Sequence, residues 1–334
     1  MIELCNIQKT FRVARRGAGF SEALKALFHK QYTVIHALRD VSFSIGDGEM
    51  VGYIGPNGAG KSSTVKVMSG ILTPDSGSCL IDGRVPWKER TAHVANIGVV
   101  FGQRSQLWWD VPVLDSMELL RDIYRVPQRQ YQKTLSELTE RLGLAELLRT
   151  PTRQLSLGQR MRCEIAASLI HSPKILFLDE PTIGLDAASK IAVREFVREQ
   201  NREKGTTVIL TTHDMQDIEA LCSRILLIGK GQILLDGQLE QLKSRFATQK
   251  TLTVSHQGEL CPLFPGLTLK ERQPGRAVLL LDAGLLPVSE AIGRLSASME
   301  LTDLSVQEPT TEELVLKLYE SFHIASDSKG GVPK

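Results

Sequence analysis

The residues best equipped for chemistry sit in one short run, Gly55, Pro56, Asn57, Gly58, Ala59, Gly60, Lys61 and Ser62, with Ser63 directly behind. The run has the form G-x-x-x-x-G-K-[ST]. Its glycines let the backbone curl until several N–H groups aim inward, and Lys61 and Ser62 add an ammonium and a hydroxyl at the same spot. A polyphosphate fits such a cradle. Lys61 would reach the β- and γ-phosphates, and Ser62 would take one corner of a Mg²⁺ octahedron. A chance match in a chain this long arises about once in a hundred cases, so nucleotide binding is expected from this run alone.

Two further groups carry reactive side chains. Ile175 to Leu178 is wholly apolar and runs into Asp179 and Glu180. An apolar run of this length reads as a strand buried on both faces, and α/β proteins gather their ligands at the carboxyl ends of such strands. A second apolar run, Thr207 to Thr211, brings His213 toward the same edge. The stretch Leu155-Ser156-Leu157-Gly158-Gln159 leads into an apolar helix, Met161 to Ile170, so Ser156 and the N–H groups around Gly158 offer a hydroxyl and a positive helix end to an anion.

These groups require a scaffold of alternating strands and helices. Met50 to Ile54 reads as the buried strand before the cradle and Ser62 to Ile71 as the helix after it, the order that a phosphate loop needs. Ile2 to Ile7, Ala37 to Ile45, Gly77 to Gly83 and Ile97 to Phe101 read as further strands. Val113 to Arg125 and Gln128 to Leu142 carry helical periodicity around Pro127 and form a helical insertion within about residues 104–171. Residues 12–35 make an unusually long strand connection. In it Phe20, Leu24, Leu27 and Phe28 share one helix side, with Arg12, Arg15, Arg16, Lys25, His29 and Lys30 nearby. That pattern suits an anionic membrane surface, a partner, or packing on its own domain.

After Gln238 the texture changes. Thr251 to Ser255, Ala277 to Leu281 and Leu301 to Gln307 read as strands, Val288 to Ser296 as a helix, and Thr310 to Tyr319 as a last helix with Thr311 as its cap. The sequence thus predicts an α/β nucleotide-binding domain over residues 1–237, a small α+β domain over residues 238–325, and a disordered tail at residues 326–334.

Taken in order, these motifs resemble the ATP-binding subunit of an ATP-binding-cassette transporter. Leu155 to Gln159 is similar to that family's LSGGQ signature except at Leu157, Asp179-Glu180 to the Walker B end, Gly184-Leu185-Asp186 to the D-loop, His213 to the switch histidine and Gln103 to the Q-loop glutamine. The resemblance implies a P-loop fold and a head-to-tail dimer, a homodimer by expectation. Two ATP molecules would be held between it, each by the P-loop of one subunit and Ser156, Gly158 and Gln159 of the other. It further implies Asp179 and Gln103 on Mg²⁺ beside Ser62, Glu180 as the base that polarises water, and His213 on the γ-phosphate. Asp186 would border the nucleotide, and Phe11, with Tyr32 the runner-up, would stack on adenine. Gln106 is a weaker candidate for the Q-loop role. Leu157 restricts φ where the family carries glycine, so the loop must do without a left-handed residue or accept strain. Trp108 and Trp109 resemble the surface that receives a permease's coupling helix, and a place in the core fits one of them as well.

Composition agrees with a cytoplasmic protein. Hydrophobic residues make up 42% and charged residues 23%, and the net charge of +2 gives no ground for nucleic acid as a partner. No run suits a membrane span or a secretory signal. Cys5, Cys79, Cys163, Cys222 and Cys261 are scattered and read as reduced thiols. The expected place is the cytoplasmic face of the inner membrane, through permease subunits. The Glu308-Pro309 tail resembles bacterial exporters with separate permeases. A cassette ATPase acting on ribosomes or DNA, or one serving a polysaccharide or lipid-linked exporter, is the alternative.

Overall fold

The computed structural model describes residues 1–14, 32–102, 104–246, 249–258, 260 and 263–322. The chain divides into two compact units, Met1–Asp236 and Gly237–Lys334.

In the first unit a six-stranded sheet has the order β5-β6-β7-β3-β8-β9, formed by β3 (Met50–Ile54), β5 (Ile97–Phe101), β6 (Ile175–Asp179), β7 (Thr207–Thr211), β8 (Arg224–Gly229) and β9 (Gln232–Gln238). The pairs β5·β6, β6·β7, β7·β3 and β3·β8 are parallel. Both faces of these strands are covered, which is why β3 and β7 are buried throughout and read as continuous apolar runs. The strand order places the ends of β3, β6 and β7 side by side, so the phosphate loop, the two carboxylates and His213 leave the sheet at one edge.

A second, antiparallel sheet orders β2 (Tyr32–Ile45), β1 (Ile2–Ala14) and β4 (Ser76–Ile81). Its apolar residues Ile2, Ile7, Leu38, Val41 and Ile45 join Val51, Tyr53, Phe177 and Ile209 in one core. The hairpin strands run further into residues 12–35 than sequence spacing predicts. Phe11 pairs with Ile35, Val13 with Thr33 and Ala14 with Tyr32, because Phe11 and Val13 and then Val34 and Ile35 supply strand-forming side chains on both arms. The helix expected around Phe20 to Phe28 lies outside the described residues, as do Gln103, Cys261 and residues 326–334.

The helices of this unit are α1 (Lys61–Met68), α2 (Arg90–Val94), α3 (Val113–Tyr124), α4 (Gln128–Leu142), α5 (Leu157–Leu169), α6 (Ala187–Lys204) and α7 (Met215–Leu221). Helix α5 begins four residues earlier than Met161, because Ser156 and Gln159 cap each other and start the helix there.

The second unit is a four-stranded antiparallel sheet, β11-β12-β10-β13, from β10 (Gln249–Gln257), β11 (Leu267–Gln273), β12 (Arg276–Asp282) and β13 (Glu300–Gln307). With it go α8 (Leu239–Phe246), α9 (Val288–Ser298) and α10 (Thr311–Ser321). Leu252, Val254, Leu279 and Leu295 centre its core. Thr310, rather than Thr311, caps α10. Its hydroxyl accepts from Glu313 N–H while the Glu313 carboxylate accepts from Thr310 N–H, a reciprocal pair that Thr311 could not form one residue later.

Candidate functional site

Gly60 sits at φ 117°, a left-handed conformation, and a side-chain carbon there would lie 2.8 Å from the Ala37 carbonyl oxygen. Only glycine allows that turn beside β2. The next residue opens α1, whose N-terminus has no side-chain cap. In contrast to α5, this end leaves its positive pole for an anion. Lys61 is buried, and its Nζ donates to the carbonyls of Gly55 at 2.6 Å and Pro56 at 3.1 Å, so the ammonium is held across the loop. Burial pushes its pKa below the ordinary lysine value, and the charges of Glu180 and Asp179 partly offset this. Asn57, Gly58 and Ser62 are exposed, while Gly55 and Ala59 are buried.

At the end of β6, Asp179 accepts hydrogen bonds from Thr211 Oγ1 and, at 3.4 Å, from Ser62 Oγ. Glu180 then adopts φ 55°, unusual for a glutamate, while its N–H donates to Thr211 O at 2.8 Å. That sharp turn ends the strand and sends the two carboxylates different ways. Asp179 meets the hydroxyl of the phosphate loop, and Glu180 Oε1 lies 3.5 Å from His213 Nδ1. The structure therefore gathers Lys61, Ser62, Asp179, Glu180 and His213 from three adjacent strand ends.

Sequence reasoning missed the scaffold under these groups. Asp217 is fully buried and accepts from Thr182 Oγ1, from Thr212 Oγ1 at 3.2 Å and from Arg194 at 2.6 Å. Thr182 follows Glu180 by two residues and Thr212 precedes His213, so one carboxylate fixes both loops. Asp214 accepts from Lys190 at 2.6 Å and from Arg194 at 3.4 Å. Burial alone would raise the Asp214 pKa, but the hydrogen bonds from Lys190 and Gln216 N–H and the charges of Lys190 and Arg194 hold it below the ordinary value. The only sequence signal was the pair of acids one helical turn apart after His213.

The signature stretch is exposed at Ser156 and Leu157 and buried at Gly158. Ser156 Oγ accepts from Gln159 N–H at 3.2 Å, and Gln159 Oε1 accepts from Ser156 N–H at 2.9 Å, which leaves the serine proton to donate. Leu157 carries no strain. It is the first residue of α5, where an ordinary helical φ suffices. The left-handed residue is Gly184 instead, at φ 68°, where a side-chain carbon would lie 2.6 Å from Leu157 Cδ2. Asp186 caps α6, accepting from Ser189 N–H at 2.8 Å and Ser189 Oγ at 3.0 Å, and these bonds hold its pKa low.

Other candidates fall apart from this cluster. Gln106 does not face the strand ends: its side chain donates to the Glu164 carbonyl in α5 at 2.9 Å. Phe11 is 37% exposed on β1, beside Lys9, and Tyr32 is 52% exposed where the described part of that hairpin ends. Trp108 and Trp109 are both exposed, at 43% and 52%, so neither belongs to the core.

With the site in view, its kinship is plain. Residues 38–183 match the ABC transporter family. The chain is 32% identical over 307 residues to the linearmycin resistance ATP-binding protein LnrL of Bacillus subtilis (strain 168), covering 89% of this chain and 97% of that protein. It is also 32% identical over 295 residues to the daunorubicin resistance ATP-binding protein DrrA3 of Streptomyces coeruleorubidus, covering 86% and 93%. Among solved structures it is similar to the ATP-binding cassette MJ0796 in a dimeric, post-hydrolysis state bound to ADP and Pi, with 27% identity and a TM-score of 0.61 over 72% of this chain and 99% of that one. The protein belongs to the ABC transporter family as an ATP-binding subunit, and it is an ATPase. Among the described residues no helix is long and apolar enough to cross a membrane.

Proposed function

We propose that the chain is the ATP-hydrolysing subunit of an exporter, works as a homodimer around two ATP molecules, and drives separate permease subunits from the cytoplasmic face of the membrane. The observation that carries this reading is the Glu180–His213 pair at 3.5 Å, beside an Asp179 already bonded to the phosphate loop. The dimeric state of MJ0796 supports the pairing, and the resistance names of LnrL and DrrA3 support export.

In this reading Gly55 to Ser63 bind the phosphates through backbone N–H groups, and Lys61 leaves its two carbonyls for the β- and γ-phosphate oxygens. Glu180 accepts a proton from the attacking water, and His213 orients that water and the γ-phosphate. Ser156, Gly158 and Gln159 donate to the γ-phosphate held by the facing subunit, with Asp186 at the joint and Phe11 against adenine. Ser62 Oγ and Asp179 Oδ1, hard oxygen donors 3.4 Å apart at the phosphate-binding helix end, fit Mg²⁺. When bound, that ion neutralises charge building on the phosphates. Gln103, assigned to the ion and the water by resemblance, completes the set.

Glu180→Gln tests the assignment. Removing the base should lower ATP turnover by at least about a hundredfold and trap an ATP-bound dimer visible by size-exclusion chromatography. Unchanged turnover would take Glu180 out of its role.

A further inference from the structure

Glu164 lies in the middle of α5, 4% exposed, and no part of the mechanism above uses it. A buried carboxylate must find donors, and here they come from one short segment. Ser105 Oγ donates to Oε1, Gln106 N–H donates to Oε2 at 3.1 Å, and the Gln106 side chain donates to the Glu164 carbonyl at 2.9 Å. Leu107 N–H in turn donates to Ser105 Oγ at 3.1 Å. Burial pushes the Glu164 pKa up, and the donors from Ser105, Gln106 and Leu107 and the charge of Arg160 oppose that push.

The segment so held is tied down at its other end as well. Gly102 N–H donates to Asp179 O at 2.8 Å, so only residues 103 and 104 separate the Walker B strand from the Glu164 anchor. On the far side the chain continues directly into the exposed Trp108 and Trp109, and the Trp109 ring sits beside α5, 5.9 Å from the Arg160 guanidinium. Ser156 caps the same helix eight residues before Glu164, about 12 Å along the axis. Segment 105–109 and the signature end of α5 therefore share one buried fastening.

We propose that Glu164 is a positioning residue for the ATP-dependent dimer: it locks segment 105–107 onto α5, so that the signature hydroxyl of Ser156 and the surface at Trp108 and Trp109 move as one piece. The proposal rests on the ATP-sandwich reading. It acts through Ser156 and not on the nucleotide of its own subunit. Loss of the fastening lets α5 shift against segment 105–107, so the signature meets the facing γ-phosphate less often in register.

The test uses the full chain carrying Glu180→Gln, with ATP-induced dimerisation followed by light scattering and nucleotide affinity of the monomer followed with a fluorescent ATP analogue. Adding Glu164→Ala should raise the ATP concentration for half-maximal dimer about tenfold, with monomer affinity unchanged: the two charge-assisted hydrogen bonds act within the subunit, and only the part that keeps the signature in register reaches the dimer. Glu164→Gln, whose amide oxygen still accepts from Gln106 N–H, should dimerise at close to the parent's ATP concentration. Dimerisation of Glu164→Ala at the parent's ATP concentration would overturn the proposal, and so would an equal loss of monomer affinity, which marks a general structural role. If Glu164→Ala does not fold, Ser105→Ala removes one bond from the segment's side and should shift dimerisation several-fold in the same direction; no shift would overturn the proposal. Failure of the Glu180→Gln parent to dimerise would instead remove the sandwich reading on which it stands.

Discussion

At the scale of single residues, Lys61 and His213, given binding and reacting roles in the proposed function, differ sharply in burial. Lys61 is buried against two carbonyls and its pKa is depressed, so its ammonium is under-solvated, and in the proposed role phosphate oxygens replace those carbonyls. Desolvation of a cation offsets much of what its hydrogen bonds contribute. Lys61→Ala should therefore weaken ATP binding by about ten- to a hundredfold while changing unfolding stability by no more than about 1 kcal/mol. Isothermal titration with ATP beside a urea melt measures both. ATP affinity equal to that of the unaltered chain would contradict the role given to Lys61. His213 is the opposite case, 62% exposed at its side chain and paired with Glu180, which suits the role proposed for it toward substrate.

Between elements, the loops that carry Glu180 and His213 are held by one ionic knot in addition to the backbone bond from Glu180 N–H to Thr211 O. Arg194 on α6 reaches both Asp217, at 2.6 Å, and Asp214, at 3.4 Å, with Lys190 sharing Asp214. Arg194→Leu leaves the buried Asp217 without its cation, which costs about 3–5 kcal/mol. The pH dependence has a definite sign. The folded pKa of Asp214 lies below its unfolded value, so its contribution is present above the ordinary carboxylate range and is lost as pH falls through the folded value. Thermal melts of the unaltered chain and of Lys190→Met, which removes the side chain that lowers the Asp214 pKa most, should thus differ most near neutrality and converge as the pH drops below about 4. Parallel curves at every pH would sink this account. What was legible beforehand divides along the same line. The strand, loop and helix around Lys61 follow from local apolar runs and glycine placement, and β3, β5 and β7 start and stop where those runs do. The knot was not legible, because Thr182 and Asp217 stand 35 residues apart and Ser105 and Glu164 stand 59 apart, and no periodicity links such pairs. Strand β11 escaped because only Leu267 of its seven residues is buried; an exposed edge strand leaves almost no apolar alternation to read. Of the two alternatives open at Leu157, the loop does without a left-handed residue there, and Gly184, on the other side of the contact, has the positive φ.

For the whole molecule, the question is how turnover at one sheet edge becomes work on a membrane partner. Trp108 and Trp109 are large apolar rings left 43% and 52% exposed, next to the segment that Glu164 fastens, and Trp108 N–H is itself held by the buried Ser116 hydroxyl at 3.1 Å. Exposed tryptophans on a held backbone are what a protein interface favours, since they bury much area at small entropic loss. The chain's own fold loses little when they are trimmed, because neither ring fills the core. Replacing both by serine should therefore leave ATP-induced dimerisation of the Glu180→Gln chain within about twofold of its parent. The same change should lower the share of the chain recovered with membranes from its native cells by about tenfold or more, the loss typical of a pair of interface anchors. Ultracentrifugation of lysates with immunodetection, run beside the dimerisation assay, reads both quantities. Equal loss in the two assays would mean that the rings serve the cassette's own structure, whereas undiminished membrane recovery would move the docking surface elsewhere on the molecule.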